Sequence, residues 1–172
     1  MMEQPALFAL PKPSAVFSGC ERYRYLLRWP TGNQGERIVL FVMANPSTAT
    51  AEHPDPTVNR CIDYARQWGF AWLWVVNVRA WRETDPDKVP DDPLAIGPDT
   101  DIHILQAARA AELVVCGWGK LGDERGHRSV PVLSLIRLAG KVPHALTRNQ
   151  DGSPGHPLYL KRELKPVPME GL

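Results

Sequence analysis

The sequence predicts an α/β protein: a three-layer α/β/α domain around a mainly parallel central sheet of about four strands. Two observations carry this expectation. Short, continuous apolar runs recur along the chain, at Ile38–Met43, 73–78 and Leu113–Cys116, in the pattern of strands covered on both faces. Between them lie segments with apolar residues at helical spacing, and strands that alternate with helices require crossovers, parallel neighbours and helices on both faces.

The elements follow in order. Residues 23–29 read as a strand, and Thr31-Gly32-Asn33-Gln34-Gly35 as the turn after it. Residues 38–43 are the first fully buried strand. Asp55-Pro56 reads as an N-cap followed by proline at the first helical position. That helix carries Val58, Cys61, Ile62, Ala65 and Trp68 on one face and stops at Gly69. A second buried strand spans 73–78. A Pro/Asp-rich loop leads to a helix over 98–111, then to the strand 113–116. A third helix over 130–139 ends at Gly140, and 145–147 is a short last strand. Residues 1–19 read as an extended N-terminal tail, 20–165 as the single domain and 166–172 as a C-terminal tail, the ends being rich in proline.

Composition narrows the function. Of 172 residues, 44% are hydrophobic and 23% charged, a balance that excludes disorder, collagen and coiled coil. Twenty basic against nineteen acidic side chains leave a net charge of +1, which argues against a polybasic binder. A local basic rim remains open. The apolar runs fall far short of the ~20 residues that cross a bilayer, and the first residues lack a basic segment followed by an apolar one. The expectation is a cytoplasmic protein with no membrane partner. Three scattered cysteines, Cys20, Cys61 and Cys116, suit reduced thiols. No C-x-x-C or H-x-x-x-H pair is present, so neither a metal nor any other cofactor is expected.

In a sheet of this kind ligands bind beyond the carboxyl ends of the strands, and the unusual residues cluster there in sequence. Asn45-Pro46-Ser47 ends a hydrophobic strand abruptly. Its asparagine suits holding a water or reading an amide edge; ordinary turn chemistry is the plain alternative. Asn77 interrupts an apolar strand, and its amide requires a partner, either a neighbouring backbone group or a ligand. His156, between Gly155 and Pro157, lies on a loop that cannot be helical and suits donation to a developing anion. The other histidines, His53, His103, His127 and His144, have weaker contexts.

Residues 117–122 match G-x-G-x-x-G, but no acid follows at the distance needed to hold a ribose, which leaves a close-approach loop around Trp118 and Gly119. Arg79, Arg82, Lys120, Arg125, Arg128, Arg148, Lys161 and Arg162, with Trp81 and Trp118, are candidates for a modest groove for phosphates and stacked bases. The plain alternative is a solvated surface of mixed charge.

The segments Ala44-Asn45-Pro46-Ser47-Thr48-Ala49, Asp55-Pro56-Thr57, Val76-Asn77-Val78-Arg79-Ala80-Trp81-Arg82, Thr84-Asp85-Pro86 and Gly155-His156-Pro157-Leu158-Tyr159-Leu160 together resemble domain-of-unknown-function family 1643, a set of uncharacterised bacterial and phage proteins. That resemblance implies no activity. The order of parts is also similar to the uracil-DNA glycosylase superfamily, with its strand ending in a G-x-N-P-G-like turn, later base-reading asparagine and late His-Pro loop. This second resemblance implies that Asn45 positions the attacking water and that Asn77 reads the base. It further implies that His156 donates to the base as charge builds on it, and that Leu158 lies near the entering wedge. Met43 and Ser47 stand where that turn has glycines, and Leu158 replaces a serine. Trp81, Trp118 and Phe70 are the candidates for stacking on the base.

The functional expectation is a nucleobase-directed hydrolase that cleaves an N-glycosidic bond in DNA or a nucleotide. Asn45 and His156 would be catalytic, and Ser47, Asn77, Arg79, Trp81, Trp118, Gly119 and Leu158 would bind substrate. The alternative is a non-catalytic module that binds a nucleotide or nucleic acid in the same cleft.

Overall fold

In chain order the strands are β1 (Ser14–Phe17), β2 (Arg24–Pro30), β3 (Ile38–Met43), β4 (Trp72–Asn77), β5 (Leu113–Cys116), β6 (Pro143–Ala145) and β7 (Val167–Pro168). The helices are α1 (Pro56–Gln67), α2 (Thr100–Ala110) and α3 (Ser129–Leu138). They come from a computed structural model, which describes residues 11–120 and 128–169. All seven strands join one mixed sheet in the order β1-β2-β4-β3-β5-β6-β7.

The strands β4, β3, β5 and β6 pair in parallel, whereas β1–β2, β2–β4 and β6–β7 are antiparallel. The expected count of about four strands is therefore corrected to seven, and the sheet is mixed rather than mainly parallel. The difference lies at its two flanks. β1 sits within the segment read as an N-terminal tail, and β7 within the segment read as a C-terminal one. Two or four residues next to prolines carry too little periodicity to announce a strand. The last parallel strand also begins earlier than expected, at Pro143. Proline is tolerated there because the first residue of a strand can do without a ladder donor.

The two faces of β3 explain its unbroken apolar run. Leu40 and Val42 pack into one core with Ile104, Ala107 and Ala108 of α2 and Val132, Leu133 and Ile136 of α3. Val39, Phe41 and Met43 pack into the other with Val58, Cys61, Ile62 and Ala65 of α1. Each such buried side chain contributes roughly 1.5–3 kcal/mol, so the central strand is anchored from both sides. Among the described residues no helix is long and apolar enough to cross a membrane.

The chain runs from β3 through α1 to β4 on one side, then from β4 through α2 to β5 on the other side of β3. That reversal makes a crevice at the carboxyl ends of β3, β4 and β5, where this class of sheet binds ligands. The register puts Met43 level with Asn77 and Val42 level with Cys116, so the loops leaving the three strands emerge side by side.

Candidate functional site

A cavity of about 450 Å³ opens at these carboxyl ends. Volumes of this order hold a small organic ligand. Its walls include the exit of β3 (Met43, Ala44, Asn45, Ser47), the end of β4 (Asn77), the exit of β5 (Trp118, Gly119, Lys120) and the loop from Asn149 to Leu160 that carries His156. The amino end of α1 closes it with Asp55, Thr57 and Val58. The structure thus brings Asn45, Ser47, Asn77, Trp118, Gly119 and His156 to one cavity.

Each loop is held by its own bonds. Asn45 donates from Nδ2 to the carbonyls of Glu83 (2.8 Å) and Pro46 (3.3 Å), while the Glu83 N–H donates back to Pro46 O (3.1 Å). With both amide hydrogens committed to carbonyls, the chemistry Asn45 offers is its acceptor Oδ1. Asp55 caps α1, its Oδ1 accepting from the Val58 N–H at 2.8 Å, as the Asp-Pro pair predicts. The segment after His156 is strapped to α1, with Arg60 Nη1 donating to Leu160 O (2.7 Å) and the Tyr64 hydroxyl donating to Lys161 O.

The glycines of residues 117–119 serve this packing. A Cβ on Gly117 would lie 2.9 Å from Pro157 Cδ and 3.1 Å from the Met43 sulfur, so the His156 loop can approach β5 only over a bare backbone. Gly119 adopts φ +67° beside His156. The rest of the G-x-G-x-x-G match, Leu121 and Gly122, lies outside the described residues, as do Arg125 and His127.

His156 is partly buried, and burial holds its pKa below the ordinary value, against the opposing charge of Asp55. Its Nδ1 accepts from the Leu158 N–H at 3.4 Å. A ring nitrogen that accepts carries no proton, so the neutral ring keeps its hydrogen on Nε2. This makes His156 a neutral donor.

Asn77 is 3% exposed and finds its partner in neither of the groups expected from sequence. Its Oδ1 accepts from Arg24 Nη2 at 3.2 Å, and Arg24 Nη1 donates to Ala49 O at 2.7 Å. Arg24 is also 3% exposed and lines the cavity. Among the described residues no carboxylate lies within ion-pair distance of it, and its Nε has no partner. Desolvation draws its pKa down to about 10, with Asp55 opposing the shift and Arg82 adding to it. The guanidinium therefore stays charged at neutral pH.

Three expected site residues lie elsewhere. Arg79 is buried beneath the next loop, its Nε and Nη2 donating to the two oxygens of Asp92 at 2.9 and 3.0 Å. Trp81 lines a neighbouring groove of about 420 Å³, shared with Arg22, Arg82 and Ser47, and meets Tyr23 edge-on. Leu158 is not among the cavity's lining residues and contributes its backbone N–H to His156. Of the stacking candidates, Phe70 sits under Arg37 and packs into the α1-side core, which leaves Trp118 and the unforeseen Tyr159 as the aromatic side chains on the cavity wall. Sequence reasoning also missed Arg24 and, as a cavity residue, Asp55.

The family model for proteins of unknown function, DUF1643, matches residues 24–158. No curated protein and no solved structure matches the chain. The chain belongs to the DUF1643 family.

Proposed function

We propose that the cavity receives a nucleobase and that the protein is a nucleobase-directed hydrolase, cleaving the N-glycosidic bond of a nucleotide or of DNA. The observation that carries this reading is the meeting of Asn45, Asn77 and His156 in one cavity of about 450 Å³. Hydrolysis adds the hydroxyl of water to the anomeric carbon, breaks its bond to the base nitrogen and leaves the second proton with the base. Negative charge builds on the departing base and positive charge on the sugar. The neutral Nε2–H of His156 suits the first. Asp55, on the same wall with one oxygen engaged at the α1 cap, suits the second. The Oδ1 of Asn45 is an acceptor for the attacking water. Helices packed on both faces of a sheet with a parallel centre agree with the α/β/α layering of the uracil-DNA glycosylase superfamily, as does the order of the three residues.

The neighbouring groove favours a second reading, a non-catalytic module for a nucleotide or nucleic acid strand. It shares Ser47, Glu83 and Thr84 with the cavity and adds Arg22, Arg82 and Trp81, side chains that suit a backbone and a stacked base. Strand nicking after alkali separates the two. Oligonucleotides carrying uracil, hypoxanthine or hypermodified pyrimidines are incubated with the wild type and with Asn77→Ala. Base excision predicts nicking that falls ~100-fold or more in the variant. Salt-sensitive retention of intact DNA supports the binding module.

A further inference from the structure

We infer that the groove beside the cavity is a subsite for the nucleotide next to the one in the cavity, with Trp81 as the platform on which that neighbour's base stacks. The substrate class is then a single strand of nucleic acid. The inference rests on the nucleobase reading and adds to it the strandedness of the substrate.

The first support is continuity. The groove of about 420 Å³ and the cavity of about 450 Å³ share Ser47, Glu83 and Thr84 as a common wall. A strand with one base in the cavity meets the groove as it crosses that wall. The second support is order. The Trp81 N–H donates to Ala95 O (3.1 Å), the Arg82 N–H donates to Arg22 O (2.9 Å), and Trp81 pairs with Tyr23 in an antiparallel bridge. Tyr23 meets the indole at 79°, with 5.7 Å between ring centroids. Arg82 stands over the Phe17 ring at 4.7 Å and donates from Nη1 to Glu21 O (2.9 Å). Platform and cation are thus in place before a ligand arrives, so binding orders little that was free. The indole is nevertheless partly exposed in the groove.

Charge and pairing decide the class. Glu21 and Glu83 line the groove together with Arg22 and Arg82, so attraction for phosphates does not by itself hold a strand there. An aromatic face does, and it accepts any base, because every base has a π-face. In a duplex the neighbouring base is already stacked and paired, and reaching Trp81 would cost it both contacts. In a single strand the same base is free to splay out. A groove that draws its affinity from one base face therefore favours the unpaired strand.

The experiment measures binding by titration calorimetry, with short oligonucleotides carrying one central uracil or hypoxanthine. That base sits on a 2′-fluoro-2′-deoxy sugar, whose electron-withdrawing fluorine slows N-glycosidic cleavage. The ligand is then varied: paired with its complement, made abasic at the 5′ neighbour, or made abasic at the 3′ neighbour. Wild type is expected to bind the single strand tenfold or more tighter than the duplex, and to lose about tenfold when the neighbour on one side is abasic, on the order of one base–aromatic stack. The single strands carry the same phosphates, so charge does not produce that difference. Trp81→Ala is expected to bind intact and abasic strands alike, and Trp81→Phe to keep the difference. A duplex bound as tightly as the single strand overturns the inference. So does a wild type indifferent to both abasic neighbours, or a Trp81→Ala protein that still distinguishes them. Binding of the corresponding mononucleotides but not of the strands overturns it as well, whereas binding of neither defeats the nucleobase reading itself.

Discussion

Among the described residues three arginines lie buried, and their surroundings differ in a way that separates scaffold from site. Arg79 meets both oxygens of Asp92, and Arg128 donates to Asp101 and to the Val78 carbonyl (2.9 Å). Each brings its own anion into the fold, and the pair is complete without a ligand. Arg24 is as deeply buried and lines the cavity, and among the described residues its hydrogen bonds go to a carbonyl and an amide oxygen, with Asp55 on the same cavity wall beyond ion-pair distance. A cation paired within the chain joins loops to the sheet. Arg24 instead stands on the cavity wall itself, holding the Ala49 carbonyl and the Asn77 amide.

Breaking the scaffold pair should produce the largest effect. Asp92→Ala removes the carboxylate that the buried Arg79 guanidinium holds in two hydrogen bonds, and is expected to cost about 3–5 kcal/mol in urea unfolding. Arg79 lies off the cavity, so the protein that remains folded should retain base excision. Excision lost in the folded variant would mean that the Arg79–Asp92 pair belongs to the site.

A smaller stability effect is expected at Arg24. Arg24→Met removes an unpaired cation, which favours the folded state, but strips the Ala49 carbonyl and Asn77 Oδ1 of their donor. The expected net loss is about 1–3 kcal/mol, below that of Asp92→Ala. Base excision should fall as well, since Arg24 no longer holds the Asn77 amide. A loss as large as that of Asp92→Ala, with base excision intact, would make Arg24 a third scaffold arginine.

The same contrast shows what could be read from sequence. The continuous run of β3 announced burial on both faces, and Asp55-Pro56 announced the start of α1, because both signals are local. Asn77 was legible as a polar break in an apolar strand, and His156 as a histidine that Gly155 and Pro157 keep out of a helix. Arg24 was not. In residues 23–29 it alternates with Tyr23 and Tyr25 like any solvent-facing residue of a strand, and only the distant Ala49 carbonyl and Asn77 amide that its guanidinium meets mark it as buried. Arg79 misled for the converse reason. It stands near Asn77 and Trp81 in sequence, while the carboxylate that claims it comes from a loop whose path no local pattern reveals. The flanking strands β1 and β7 were hidden by their shortness, being too brief to show a period.

The smallest effect concerns a group that, unlike the arginines, can give up its charge. Burial holds the pKa of His156 below the ordinary value, and burial does the same to His103, which stacks on Tyr25 at 4.7 Å. Both rings are therefore neutral in the folded protein at pH values where the unfolded chain has begun to protonate them. The unfolded state then binds more protons, so stability rises with pH across that interval. Urea-unfolding stability should be level above about pH 6.5 as far as these groups are concerned, and should decline as pH falls toward the folded-state values. His103→Gln should remove part of that decline without touching base excision, because His103 lies off the cavity. If His156 serves as a neutral donor, the acid limb of its activity lies below the ordinary histidine pKa, since the folded protein keeps the ring neutral there. Activity that instead falls as pH rises through the histidine range would mean that His156 works as a cation, a third positive charge on a cavity wall that already holds Arg24 and Lys120.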